Sequence, residues 1–397
     1  MTKQQVFIVD LAESLHKNGL PAHRIENSIK LISKVLQTPV ELSSTPEMLM
    51  LSFDSTSHTT MKKMSGSSLN FDRMDHLHKL INEISNKNLD VESAQKQLNE
   101  IKNRKVLYNK WINILFIAIS NSSSACLFGG GWAEIIVSGF IGIVIGLIIE
   151  LLSSFPNLAR LSVLFSSAAA IFIAKSGVSL FGNYSVEIAS ITGLILLIPG
   201  FAFSQSVTEL AHGQAQSGIV RFSNVFLTFL MMAVGLGFGS QLVSIIYITP
   251  LKFHFPALPF WASYIAILVV PAGFGVLFNA KREHYIWMLV ACTVSYFSMK
   301  YISFKSIPEF SVLFSAFLLG LISNSISFFL KKSSSLMLVP GIILLVPGSI
   351  GFKTVTYLMN EQTMSGLESA ISTLITAVAL TCGLLFSNMI IKQREVF

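Results

Sequence analysis

Apolar residues follow two regimes along the chain. Up to about residue 110 they recur at helical or alternating spacing among polar ones, and beyond it they run on almost without interruption. The segment VFIVDLAESLHKNGL keeps its apolar side chains on one helical face until Gly19 offers a stop. Pro21 can then open a second helix with the stripe Ile25, Ile29, Ile32 and Leu36. VELSS, MLMLSF and TTMKKM predict short strands between polar turns, and DRMDHLHKLINEI and DVESAQKQLNEI predict two more helices. Residues 1–110 are therefore expected to form a small α+β domain, whose last segment, KNRKVLYNKW, brings basic residues and an aromatic to a membrane surface. No basic stretch followed by an apolar core precedes it, so no cleaved signal peptide is expected.

From Trp111 onward ten apolar stretches are compatible with membrane helices, about 20 residues being enough to cross a bilayer. Their expected spans are 111–130, 133–152, 160–181, 187–203, 219–248, 258–279, 284–301, 308–330, 336–351 and 367–390. The fold class expected is thus a polytopic α-helical membrane protein in contact with a lipid bilayer. With the amino-terminal domain inside, the inner ends collect Lys102, Arg104, Lys105, Lys110, Arg160, Arg221, Lys281, Arg282, Lys331, Lys332, Lys392 and Arg394. The outer ends hold Lys175, Lys252, Lys300, Lys305 and Lys353. This asymmetry predicts an even number of spans in an inner (plasma) membrane, both termini cytoplasmic.

Composition agrees, with 52% hydrophobic and only 12% charged residues, far from a soluble enzyme. A net charge of +7 points to no nucleic-acid partner, because the basic residues sit at the ends of apolar runs rather than on one face. Cys126, Cys292 and Cys382 are too scattered for a disulfide framework or metal spacing, and His76 and His78 point different ways on a helix. Neither metal nor cofactor is expected. No nucleophile motif or phosphate-binding loop occurs, so the chain reads as a non-enzyme, with an enzyme or sensor in the amino-terminal domain and a non-transporting scaffold as alternatives.

The most specific feature is a gapless match at an offset of 148 residues. It pairs GLILLIPGFAFSQSVTELAHGQAQSG (Gly193 to Gly218) with GIILLVPGSIGFKTVTYLMNEQTMSG (Gly341 to Gly366), 12 of 26 positions being identical. The copies lie five expected spans apart, on the fourth and the ninth, so the second is inverted across the membrane, giving two inverted five-helix repeats over residues 111–249 and 250–397. Inverted repeats with interrupted helices are a design of secondary transporters, with a small-molecule substrate bound between the repeats. The breaks are Pro199-Gly200 and Pro347-Gly348. The competing reading is that each Pro-Gly merely ends a helix before a loop.

These residues resemble the threonine/serine exporters, a family in which a cytoplasmic domain precedes ten spans. The likeness covers nearly the whole chain. It is carried by LLIPGFAFSQSVTELAHGQAQSGIVRF (196–222), LLVPGSIGFKT (344–354), GLPAHRIENSIKLISKVL and LFGGGW. The resemblance implies export of threonine and serine with the proton gradient as driver. The family's acidic residue near Pro-Gly matches Glu209, and its Arg after Ser-Gly matches Arg221. The chain departs in having Glu where Asp is expected and Tyr357 in place of an acid in the second copy. Related two-protein transporters handle dicarboxylates such as succinate, which keeps a dicarboxylate exporter as the alternative.

Glu209 and His212 are three apart, on one face of a helix, and are candidate proton carriers. Arg221 can clamp a carboxylate or anchor its helix at the interface, and Lys353 can meet a carboxylate from the outer side or snorkel. Gln205, Thr208, Ser217, Thr356, Asn360 and Ser365 offer amides and hydroxyls to a small amino acid, or serve as caps and packing contacts. Glu26 is expected in a surface ion pair with Lys30. Asn121 to Ser124 and Ser323 to Ser325 are expected to bond neighbouring helices. GIVIG (Gly142 to Gly146) and GLGFG (Gly235 to Gly239) suit close helix contacts and are compatible with a homodimer.

Overall fold

A computed structural model describes residues 1–53, 58–64, 66–86, 88–245, 255–256, 258–302, 307–330, 333–345 and 348–391; the side chains of residues 58, 156, 157 and 330 are not described. Pro347, Lys252, Lys305, Lys331, Lys332, Lys392 and Arg394 lie outside the described residues.

Helix α1 (Lys3–Lys17) starts at a capping box in which Thr2 and Gln5 satisfy one another's amides. The turn after it uses Gly19 at φ +83°, a left-handed conformation that favours glycine. Helix α2 (Ala22–Val35) follows Pro21, and strands β1 (Val40–Thr45), β2 (Met48–Phe53) and β3 (His58–Lys63) form an antiparallel sheet in chain order. Leu49, Leu51 and Phe53 alternate inward from the central strand, as the period of a half-buried strand requires. Helices α3 (Phe71–Ser85) and α4 (Val91–Lys102) complete this part, capped by Asn70 and Asp90. Lys30 and Glu26 do not pair: Glu26 faces the α11–α12 turn defined below and accepts from Gln214, while Lys30 stays exposed.

The remaining helices are α5 (Lys110–Leu127), α6 (Trp132–Ser153), the single turn α7 (Pro156–Ala159), α8 (Ser162–Ser176) and the single turn α9 (Val178–Phe181). Then come α10 (Val186–Gly193), α11 (Gly200–Ala211), α12 (Ala215–Ser244), α13 (Ala262–Leu277), α14 (Tyr285–Tyr301) and α15 (Pro308–Leu330). The chain ends on α16 (Ser335–Leu345), α17 (Gly348–Met359) and α18 (Thr363–Ile390). Among the described residues six helical stretches are long and apolar enough to cross a membrane: Trp132–Ser153, Ser162–Phe181, Ala215–Ser244, Pro308–Phe329, Ser335–Met359 and Thr363–Ile390. The expected stretch 187–203 is not one helix. It ends as α10, turns through residues 194–199, and resumes as α11.

The repeat reaches the backbone. Helices α11 and α12 begin at Gly200 and Ala215, and α17 and α18 begin at Gly348 and Thr363, 148 residues later in each case. Gly213 (φ +78°) closes α11, and its counterpart Glu361 closes α17 at φ +60°, a left-handed position held by a residue with a Cβ. Both turns carry the same bonds: the Gln214 amide donates to the Glu209 carbonyl, and the Gln362 amide to the Tyr357 carbonyl, each at 2.9 Å. Packing repeats as well, with α8 against α12 and α15 against α18. Gly235 and Gly239 bring α12 onto the Leu164 and Ala168 carbonyls, while Gly142 and Gly146 bring α6 onto α5. These glycines make contacts inside one chain, so they lend the expected homodimer no support.

The amino-terminal elements share one apolar core with the helices beneath: Phe7, Leu11, Ile25, Ile29 and Leu77 join Ala280, Met288, Leu336 and Val339. The first amides of α3, which have no partner inside their helix, are taken by the carbonyls of Phe278 (from Phe71, 2.8 Å) and Asn279 (from Asp72, 3.1 Å). Lys281 reaches Asp75 at 3.2 Å and Tyr108 donates to the Ala280 carbonyl at 2.8 Å, fastening the same seam.

Candidate functional site

Breaking the α10–α11 rod leaves carbonyls without helical partners. The Gly193 carbonyl is met by the buried Asn121 Nδ2 of α5 at 2.6 Å, which accounts for a polar residue inside an apolar helix. Beyond Pro199 and Gly200, α11 turns a polar face carrying Ser204, Gln205, Thr208 and Glu209 into the protein.

Glu209 has no exposed surface. Its carboxylate accepts two bonds from Arg221 (Nε at 3.0 Å, Nη2 at 2.9 Å), one from Ser217 Oγ at 2.8 Å, and one from the Ala22 backbone amide at 3.3 Å. The Ala22 amide opens α2, so the positive end of a helix from the amino-terminal part rests on a carboxylate of the membrane part. Glu209, Ser217 and Arg221 are thus gathered into one cluster, and none of the three lines the cavity described next.

The cavity lies beside it. About 400 Å³ of space is bounded by Pro21, His23, Arg24 and Asn27 of the amino-terminal part, by Ser204, Gln205, Thr208 and His212 of α11, and by residues of α15, α16 and α18, among them Asn324, Ser335, Thr381 and Asn388. Gln205, Thr208 and His212 are the residues expected from the sequence that face it. Thr208 Oγ1 donates to the Ser204 carbonyl at 2.9 Å and lies 3.3 Å from Thr381 Oγ1. His212 stacks on His23, with ring centroids 4.3 Å apart and planes 7° from parallel. Burial, with Arg24 and His212 alongside, pushes the His23 imidazole down to about 3, so it is neutral at physiological pH. Burial also lowers Arg24 to about 10, leaving it cationic there. Glu26 is raised by burial.

Residues of the second copy stand elsewhere. Gly348 is buried at the start of α17, and Lys353 pairs with Glu187 at 3.3 Å, both side chains nearly half exposed. Thr356 Oγ1 returns to the Phe352 carbonyl, and Asn360 and Ser365 are exposed. None of these lines the cavity. Arg24 and Asn324 were not anticipated as cavity residues. Arg24 sits just beside the Ile25, Ile29, Ile32 stripe, and a cation at the edge of a buried face is the signal that could have found it. Carboxylate and imidazole atoms of Asp75, Glu283 and His284 also converge within 4.8 Å, but Lys79 (3.1 Å) and Lys281 (3.2 Å) already engage Asp75.

Comparison with known proteins adds the following. Residues 6–243 match the family described as "Putative threonine/serine exporter", and residues 260–390 match "Threonine/Serine exporter, ThrE". Relatives named pheromone-regulated membrane protein 10 include one from Kluyveromyces lactis, 25% identical over 394 residues, covering 94% of this chain and 41% of that protein. Another, from Debaryomyces hansenii, is 26% identical over 387 residues, covering 93% and 38%. One from Eremothecium gossypii is 25% identical over 382 residues, covering 91% and 50%. The chain therefore spans half or less of the length of these curated relatives. No solved structure matches it. With matches running through the Pro-Gly segments and both flanking parts, the chain belongs to the threonine/serine exporter family.

Proposed function

We propose that the chain exports small polar amino acids of the threonine and serine class by alternating access, driven by proton entry. The observation that supports this most is the cavity of about 400 Å³, apolar over most of its wall with a few polar side chains facing it, where α11, just past the first Pro-Gly break, meets α15, α16, α18 and the amino-terminal helices. That volume suits a small zwitterion. In this reading residues 1–110 are a cytoplasmic domain closing the inner mouth, and residues 111–249 and 250–397 are two inverted five-helix repeats. Ten spans then cross the inner membrane with both termini cytoplasmic. The shorter or more polar α5, α10, α13 and α14 complete the ten, shielded by their neighbours.

Glu209 is the coupling group. Its charge holds both Arg221 and the Ala22 amide, so a proton arriving on the carboxylate weakens both bonds and frees the amino-terminal cap from the inner mouth. Gln205, Thr208 and His212 serve substrate in the inward state. The second copy, with Gly348, Lys353, Thr356, Asn360 and Ser365, serves the outward one.

The test is flux of labelled threonine, serine and succinate in proteoliposomes, with and without an imposed pH gradient, beside Glu209→Gln and empty vesicles. Gradient-driven amino-acid flux, lost in the variant, is the expected result. Succinate flux alone moves the chain to dicarboxylate export, and no flux of the three from folded protein overturns the proposal.

A further inference from the structure

Arg24 is a cation with no counterion among the described residues. Its guanidinium donates to Ser335 Oγ at 2.7 Å, and no carboxylate among the described residues pairs with it. Its side chain is half-buried, and a contact that only docks α2 onto α16 needs no charge, since a neutral amide could reach the same hydroxyl without partly desolvating an ion that has no carboxylate beside it. The guanidinium carries five N–H donors, and among the described residues one of its nitrogens finds a partner, Ser335 Oγ.

Other walls of the cavity are unsatisfied too. Ser204 (2% exposed), Gln205 (8%) and Asn324 (2%) line it, and Ser204 Oγ, Gln205 Nε2 and Asn324 Oδ1 have no hydrogen-bond partner among the described residues. Buried polar atoms are ordinarily paired, so three of them lining the same cavity as an arginine that meets no carboxylate mark a place that a polar ligand completes.

Building on the transporter reading above, the geometry points to Arg24 as the anchor for the carboxylate of an amino-acid substrate. A residue of the amino-terminal part, rather than of a membrane helix, then supplies the charge that recognises the cargo. A guanidinium fork matches one carboxylate through two parallel bonds. Asn324 Oδ1 is an acceptor for the substrate ammonium, and Gln205 Nε2 a donor to a side-chain hydroxyl. Arg24 is the only Lys or Arg among the described lining residues, so the second carboxylate of a dicarboxylate meets no cation there. Because Arg24 rides on α2 while Ser335 opens α16, a bound substrate ties the amino-terminal cap to the helices beneath it.

The test uses the full chain in nanodiscs. Labelled L-threonine is titrated, with threoninamide, which lacks the carboxylate, as competitor. Wild type is expected to prefer threonine at least roughly tenfold, and Arg24→Met to weaken threonine binding roughly 10- to 100-fold and erase that preference, as loss of a charge-assisted bond pair requires. Arg24→Lys keeps the preference at reduced affinity, and Ser335→Ala, which cuts only the docking bond, also keeps it. Arg24→Met melts close to wild type, because the half-buried guanidinium has only the Ser335 bond to lose. Undiminished preference in Arg24→Met overturns the inference and leaves the transporter reading standing. So does a melting point well below wild type, which would make Arg24 a structural anchor. Wild type that neither binds nor moves threonine, serine or succinate overturns both.

Discussion

Replacing Arg221 by Met isolates the carboxylate of Glu209 in a place with no exposed surface. Two of its four hydrogen bonds disappear with the guanidinium, leaving those from Ser217 at 2.8 Å and the Ala22 amide at 3.3 Å. Removing one partner of a buried ion pair costs about 3–5 kcal/mol, because the remaining charge stays desolvated. Arg221 itself is 16% exposed at its side chain, so the reverse deletion, Glu209→Leu, leaves a cation that can reach water and costs less. The double variant Glu209→Leu/Arg221→Met removes both charges and is expected to recover most of the loss. The assay is unfolding in mixed micelles of rising dodecyl sulfate content, reported for wild type, both single variants and the double. Limited proteolysis alongside shows whether the amino-terminal part loosens, since the Ala22 amide loses its acceptor in Glu209→Leu. If Arg221→Met is as stable as wild type, or the double variant is no better than Arg221→Met, the pair does not carry the energy assigned to it.

Three further outcomes are expected. Glu361→Gly relieves a left-handed residue and raises stability by up to about 1 kcal/mol, whereas Gly213→Ala at the matching turn lowers it by about the same amount, both read by the same unfolding assay. Gly239→Ala places a Cβ 2.2 Å from the Ala168 carbonyl oxygen, so α8 and α12 must separate at a cost of about 1–3 kcal/mol, and unchanged stability would contradict that packing. His23 is held down to about 3 by burial, with Arg24 and His212 facing it, so the docked state binds fewer protons than the free one between about pH 6.5 and 3. Docking is therefore strongest above that window and weakens on acidification, by about 1 kcal/mol from pH 7.5 to 5.5. His23→Phe removes this component, which protease sensitivity of the amino-terminal part at the two pH values would reveal.

Much of the architecture is legible in the sequence. Alternation in MLMLSF, the Gly19 turn, the stripe on α2 and the long apolar runs all rest on spacing within one element, and local geometry follows from local spacing. The 148-residue offset belongs with them: identical polar positions impose the same helix starts, the same left-handed turn at Gly213 and Glu361, and the same amide bonds. Spacing showed that Glu209 and His212 share a helical face, but not that one turns to a buried guanidinium and the other to an imidazole stack. Arg24 and Ser335 lie 311 residues apart, and nothing in either neighbourhood names the other. The expected Glu26–Lys30 pair failed for the same reason, because a remote turn offered Gln214 to a side chain that local spacing assigned to solvent. Periodicity within an element is determined by the chain itself. Which polar atoms face a cavity, and which cation in it goes unpaired, is decided only when elements distant in sequence pack together and exclude water between them.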